Sequence, residues 1–174
     1  MALISEFIDD YKSKINHYEH LAQTCAYQCE SALKRRGLRA LVTSRAKRLD
    51  SLTSKVENRN KDKAYQSIEE IYEDIVDLAG VRIALYFPGD REEIDSFVRS
   101  HFNVDHVKDF PEALRHPGAY QKRFLGYVGR HYRLRLKPET LPPVDQHLAH
   151  YVIELQVGSV LMHAWAEVEH DLVY

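Results

Sequence analysis

Asp77 stands at the mouth of an apolar run, Ala79 to Phe87, that is long enough to be a buried strand. A carboxylate there is costly unless it is hydrogen-bonded or placed on a cation. Asp77 therefore reads either as a helix-terminus residue in solvent or as a metal ligand. Glu154 sits mid-strand, sharing a face with Gln156 while Ile153, Leu155 and Val157 take the other. Two carboxylates from two strands suit magnesium, which takes hard oxygen ligands, one or two of them from protein and the rest from phosphate and water. Phosphate would meet the basic segment upstream, where eleven lysines and arginines between Lys34 and Lys63 stand against Asp50, Glu57 and Asp62. Glu69, Glu70, Glu73, Asp74 and Asp77 follow with no basic residue among them, so opposite fields adjoin in sequence. The chemistry this set suggests is magnesium-assisted work on phosphates. A solvated helix face is the competing reading of the basic run.

The elements that must position these groups follow from periodicity and punctuation. Residues 1–36 form a long helix whose seam runs Ile4, Ile8, Tyr11, Ile15, Tyr18, Ala22, Cys25, Cys29 and Ala32, and Gly37 ends it. That seam needs a partner, either another helix of the chain or a second subunit, so a homo-oligomer is one alternative. A short strand near Leu41 to Ser44 precedes a basic helix from about Lys47 to Asn58 and an acidic one over Ile68 to Val76. After the strand Ala79 to Phe87 come a turn at Pro88-Gly89-Asp90 and a helix over Arg91 to His101. Strands are expected at Val104 to Phe110, Tyr127 to Leu136 and Val152 to Val157, with loops at 111–122 and 138–143. A last helix from Val160 is expected to bury Leu161, Trp165, Val168 and Leu172. The order predicts an α+β fold, a mixed sheet flanked by helices, with a long N-terminal helix.

Composition sets the class. The chain has 174 residues, 44% hydrophobic and 29% charged, which suits one compact domain with a helical appendage. A net charge of −2 excludes a globally basic nucleic-acid binder. No membrane-spanning run and no secretory leader are evident, so a soluble, cytoplasmic protein is expected. Cys25 and Cys29, four apart on the first helix, read as small core residues.

Five ordered segments now carry a resemblance: RAKRLDSLTSK (Arg45 to Lys55), DLAGVRI (Asp77 to Ile83), GYVGRHYRL (Gly126 to Leu134), IELQVGS (Ile153 to Ser159) and WAEVEHDLVY (Trp165 to Tyr174). Together they resemble the successive motifs of the RelA/SpoT-type (p)ppGpp synthetase domain, from about Ala40 onward, as in small alarmone synthetases. The resemblance implies a nucleotidyltransferase-like fold over 38–174 behind a helical segment, 1–37. It implies transfer of the β,γ-pyrophosphate of ATP to the 3′-hydroxyl of GDP or GTP, releasing AMP. Asp77 and Glu154 would be the magnesium ligands, with Glu154 also the base for the attacking hydroxyl. Arg45, Lys47, Ser51 and Lys55 would bind ATP, Arg45 stacking on adenine. Tyr127 would stack on the acceptor base, with His131 and Gln156 near the acceptor. Arg82, Glu167 and His170 match further motif positions, and Arg123, just before the third segment, is a further candidate site residue. Arg82 has an ion pair with the acidic helix as its alternative, and Glu167 and His170 would serve structure and the acceptor site.

The sequence departs from the family pattern on the acceptor side: Leu125 stands for the usual Asn, Gly129 for Ser, and Gly158-Ser159 for Arg or Lys followed by Thr. Other acceptors, an adenosine nucleotide or the 3′ end of tRNA, are therefore carried as alternatives, and so is a catalytically silent nucleotide-sensing module. A backbone of tRNA would find Lys34 to Arg39, Arg115, Lys122 and Arg123. His163, Glu167 and His170 share a helical face but not the His-Glu-x-x-His spacing of zinc sites, and no third ligand is evident. The hydrolase of long family members needs a preceding helical domain for which the residues before Leu41 leave no room, so a synthetase alone is expected.

Overall fold

The structure is a computed structural model and describes residues 2–110 and 129–164. Helix α1 (Ala2–Arg35) opens the chain, and Gly37 follows it at φ 71°, the left-handed conformation that releases a helix into a strand. Strand β1 (Ala40–Ala46), helices α2 (Leu49–Lys63) and α3 (Ile68–Asp74) and strand β2 (Ala79–Leu85) come next. Helix α4 (Arg91–His101), strands β3 (Asn103–Phe110), β4 (Gly129–Arg135) and β5 (Ile153–Ser159), and a helical stretch α5 over 160–164 complete the described chain. Pro138–Thr140, inside the expected loop at 138–143, and Pro143–His150, which follows it, wind as 3-10 helix.

The five strands lie in the order β1-β2-β5-β4-β3, with β2 and β5 parallel and every other pair antiparallel. An α+β fold with a mixed sheet, expected from the sequence, is what the chain adopts. One face of the sheet is apolar: Val42, Val81, Ile83, Leu85, Ile153, Leu155, Val157, Tyr132 and Leu134 alternate inward along their strands. Helix α1 lies over β1 and β2 on that face, and α4 packs beside β3 through Ile94, Phe97 and Val98. The partner of the α1 seam is thus mainly the chain's own sheet. Tyr11, Tyr18, Ala22, Cys25, Cys29 and Ala32 are buried as expected, joined by Phe7 and Leu21, while Ile4, Ile8 and Ile15 are only partly covered. Each fully buried large side chain contributes about 1.5–3 kcal/mol of transfer free energy, which orders this layer.

The start of α5 corrects one expectation. Leu161 is 77% exposed, and the inward residue of this turn is His163, at 6% exposure with Nε2 3.3 Å from the Ile83 carbonyl. The helix phase is set by Ser159, whose hydroxyl oxygen accepts from the Met162 N–H at 3.2 Å. Trp165, Val168 and Leu172 lie outside the described residues.

Candidate functional site

The second sheet face is polar over two rows set by the register and apolar in a third. Arg45, Gly80, Glu154 and Arg133 stand side by side on β1, β2, β5 and β4. The next row is Thr43, Arg82, Gln156, His131 and Lys108, and the third is Leu41, Ala84, Gly158, Gly129 and Phe110. Strands about 4.8 Å apart bring Arg45 and Glu154 within two strand spacings, although 109 positions separate them in sequence. Gly80 lies between them and places no side chain in the gap. A Cβ there would meet the Arg45 carbonyl at an ordinary 3.8 Å, so packing does not require the glycine, and its effect is to leave the cleft floor open.

Asp77 borders this floor. The ladder of β1 and β2 runs one residue past Ala46, where the Lys47 N–H donates to the Leu78 carbonyl at 2.9 Å, so Lys47 arrives beside Asp77. Lys47 Nζ donates to Asp77 Oδ2 at 2.7 Å, and Lys55 Nζ lies 2.8 Å from the same oxygen. Ser51 and Lys55 are four apart on α2 and so share a face, and Ser51 lines the cleft there. The three charged side chains are 16–29% exposed. Burial alone would raise the Asp77 pKa, but the hydrogen bonds from Lys47 and Lys55 outweigh it and hold the carboxyl below its ordinary range. Its other oxygen, Oδ1, is buried with no hydrogen-bond partner.

Glu154 follows the same pattern. Gln156 Nε2 donates to Oε2 at 2.8 Å, and His131 Nδ1 lies 3.5 Å from Oε1. Burial raises its pKa, the His131 and Gln156 contacts lower it further than that, and the charge on Asp77 pushes back upward. The two carboxylates therefore sense each other across the floor. His131 also packs its ring on Phe110, with centroids 4.5 Å apart.

Thr43, Ser44, Arg45, Lys47, Arg48, Ser51, Asp77, Arg82, Glu154 and Gln156 line one cleft of about 190 Å³ around this floor. Arg45 is exposed and has no ion-pair partner among the described residues, which leaves its planar guanidinium available. The cleft thus gathers Arg45, Lys47, Ser51, Asp77, Arg82, Glu154 and Gln156, with Lys55 and His131 reaching its carboxylates. Tyr127, Arg123, Glu167 and His170 lie outside the described residues. Two of the departures, Gly129 and Gly158, face each other in register, so one patch of the sheet carries both.

Sequence reasoning missed the supports. Tyr11 is fully buried, and its hydroxyl donates to the Lys47 carbonyl at 2.7 Å and lies 3.4 Å from that of Leu78, so α1 braces the junction that bears Lys47 and Asp77. Burial pushes its pKa up to about 12, which keeps it a donor. Arg59 donates to Asp74 at 2.7 Å and ties α2 to α3 just before Asp77. Arg130 bridges Asp109 at 2.6 Å and Asp95 at 3.0 Å, fixing β4 to β3 and α4 beneath His131. For Tyr11 the sequence signal was a hydroxyl on an otherwise apolar seam, whereas Arg59 and Arg130 stand among other polar and charged residues and carried none.

Residues 44–174 match the family model described as the region found in RelA / SpoT proteins. The chain belongs to this RelA/SpoT family. Among solved structures, this RelA/SpoT chain is similar to a GTP pyrophosphokinase family protein from Streptococcus pneumoniae at 18% identity and TM-score 0.69, covering 94% of this chain and 76% of that one. It is also similar to small alarmone synthetase 1 from Bacillus subtilis at 22% identity and TM-score 0.69, covering 94% and 78%. The same B. subtilis protein bound to its product pppGpp matches at 21% identity and TM-score 0.66, covering 94% and 80%. At these identities the likeness shows the fold. No curated protein matches the chain.

Proposed function

We propose that the chain is an ATP-dependent pyrophosphokinase that transfers the β,γ-pyrophosphate of ATP to the 3′-hydroxyl of GDP or GTP and releases AMP. One observation carries the reading: Asp77, gripped by Lys47 and Lys55 through one oxygen, keeps its other oxygen buried and unpartnered and shares one cleft with Glu154 over a side-chain-free floor. Family membership and the nucleotide-bound relative support it. Residues 38–174 form the catalytic unit and 1–37 its helical segment.

The donor set fits magnesium. Among the described residues no three His, Cys, Asp or Glu side chains gather for a closed metal cage, whereas two carboxylates facing an open floor are what magnesium needs from protein. Asp77 and Glu154 would hold it, and when bound it supplies charge neutralisation on the β- and γ-phosphates. The remaining work belongs to the chain. Arg45 stacks on adenine, while Lys47, Lys55 and Ser51 meet the phosphates. Tyr127 stacks on the acceptor base and His131 with Gln156 holds the acceptor ribose or phosphate. Glu154, ionised because its pKa is lowered, takes the proton of the 3′-hydroxyl as that oxygen bonds to Pβ. The bond from Pβ to the bridging oxygen of the α-phosphate breaks, and AMP leaves with that oxygen. Arg82 steadies the transferred charge; Arg123, Glu167 and His170 complete the acceptor side.

The facing pair Gly129 and Gly158 favours a second reading, the same chemistry on an adenosine nucleotide or the 3′ end of tRNA, because two side chains usual in the family are absent at one spot. The test is incubation with magnesium and ATP plus GDP, GTP, GMP, ADP or deacylated tRNA, with products resolved by anion exchange beside Asp77→Asn. AMP with a new 3′-pyrophosphorylated guanosine nucleotide supports the first reading. The same product on adenosine or tRNA moves the acceptor, and nucleotide binding without AMP from any acceptor overturns the enzyme.

A further inference from the structure

A larger cavity, about 660 Å³, opens at the end of the sheet where β2 and β5 begin. Its volume lies in the range of small-molecule sites. Leu78 and Val152 line it with apolar surface, Tyr72 and Tyr151 add rings, and Arg133 and Arg135 bring cations from the polar face of β4. The unused donor capacity here lies on Arg133. The Arg133 side chain has no ion pair or hydrogen bond among the described residues. Arg135 forks onto Asp105 through both terminal nitrogens, at 3.2 and 3.4 Å, and remains partly exposed at the cavity edge, so a bound anion would compete with that carboxylate. The acids on the lining are Asp105, already engaged, and Glu73. Two guanidinium groups two residues apart on one strand face are about 7 Å apart at their roots, near enough for both long side chains to converge on one diphosphate.

We propose that this cavity is a second nucleotide site, taking a purine nucleoside diphosphate with its ring against Tyr72 and Tyr151 and its phosphates on Arg133 and Arg135. Aromatic walls accept any base face, so adenine and guanine both fit. The lining includes Val76 and Leu78, which flank Asp77, and Val152, two residues before Glu154, so an occupant touches both segments that carry the carboxylates. The site goes beyond the pyrophosphotransfer reading, and its binding does not depend on it.

Isothermal titration of the full chain with ADP, and separately with GDP, tests the site in wild type, Arg133→Glu and Arg133→Met. The expected result is the loss of one nucleotide equivalent per chain, or its weakening at least about tenfold, in both variants. Arg45→Ala should keep that equivalent. Arg133→Met retains the side-chain stem and is read alone if charge reversal lowers the melting temperature. Unchanged stoichiometry and affinity with both nucleotides overturns the site while leaving AMP release untouched. A catalytically silent chain that still loses the equivalent keeps the site and sinks only the enzyme.

Discussion

Tyr11→Phe removes one oxygen and leaves the ring in place. The hydroxyl donates to the Lys47 carbonyl at 2.7 Å, whereas the Leu78 carbonyl, 3.4 Å away, keeps the Lys47 N–H at 2.9 Å. Only the Lys47 carbonyl therefore loses its donor. A buried acceptor left unpaired costs about 1–3 kcal/mol. In a chain of this size each kcal/mol moves the melting temperature by about 2–4 °C, so calorimetry should show a fall of about 2–12 °C. The freed carbonyl belongs to the residue whose ammonium grips Asp77, so the site should loosen with it. A misplacement of about 1 Å costs up to about 100-fold in rate, and kcat/KM for ATP in the AMP-release assay should fall at least several-fold. A melting temperature within about 1 °C of the parent would refute the bracing argument outright. A lower melting temperature with unchanged kcat/KM would show that the hydroxyl supports the fold and not the site.

Asp77→Asn should abolish AMP release and also destabilise the chain by up to about 3–5 kcal/mol in urea denaturation, because two half-buried ammonium groups lose the charge they share. Asp77 and Glu154 have lowered pKa values in the fold, so their contribution is complete above the ordinary values of 3.8 and 4.5 and is lost as pH falls through the lower folded values. Melting temperature against pH should be steeper on the acid side for wild type than for Asp77→Asn, and parallel curves would contradict the linkage. Leu161→Ala should change stability by less than about 0.5 kcal/mol because the side chain is exposed. Leu155→Ala, fully buried on β5, should cost about 2–5 kcal/mol in the same measurement, and equal effects would place Leu161 in the core after all.

Much of the sheet was legible because its signals are local. Ala79 to Phe87 announces a buried strand by composition, and the helix over Arg91 to His101 by period, and both appear with ends moved by two residues at most. Asp77 and Glu154 stood out for the same reason, as carboxylates where apolar residues dominate. What the sequence concealed depends on register and on contacts between distant segments. That both lysines close on one oxygen of Asp77 follows from the extra ladder bond at Lys47 and from the pitch of α2, neither of which shows in the order of residues. Tyr11 reads as one more seam residue until the β1–α2 junction is set beneath it. Leu161 was misplaced because a Ser159 cap fixes the rotation of α5, and a period counted over a few residues has no such anchor.

The division of the sheet into an apolar and a polar face separates two kinds of mutational risk. Along β1, β2, β4 and β5 neighbouring residues alternate between them, so a change at Ile83, Tyr132 or Leu155 strikes the core while one at Arg82, His131 or Gln156 strikes the open face. A saturation scan would then oscillate with a period of two, abundance falling at one parity and ligand preference shifting at the other. Such a chain can change what its polar face binds by single substitutions at Thr43 or Arg82 while its packing stays as it is, so ligand preference and stability can vary independently.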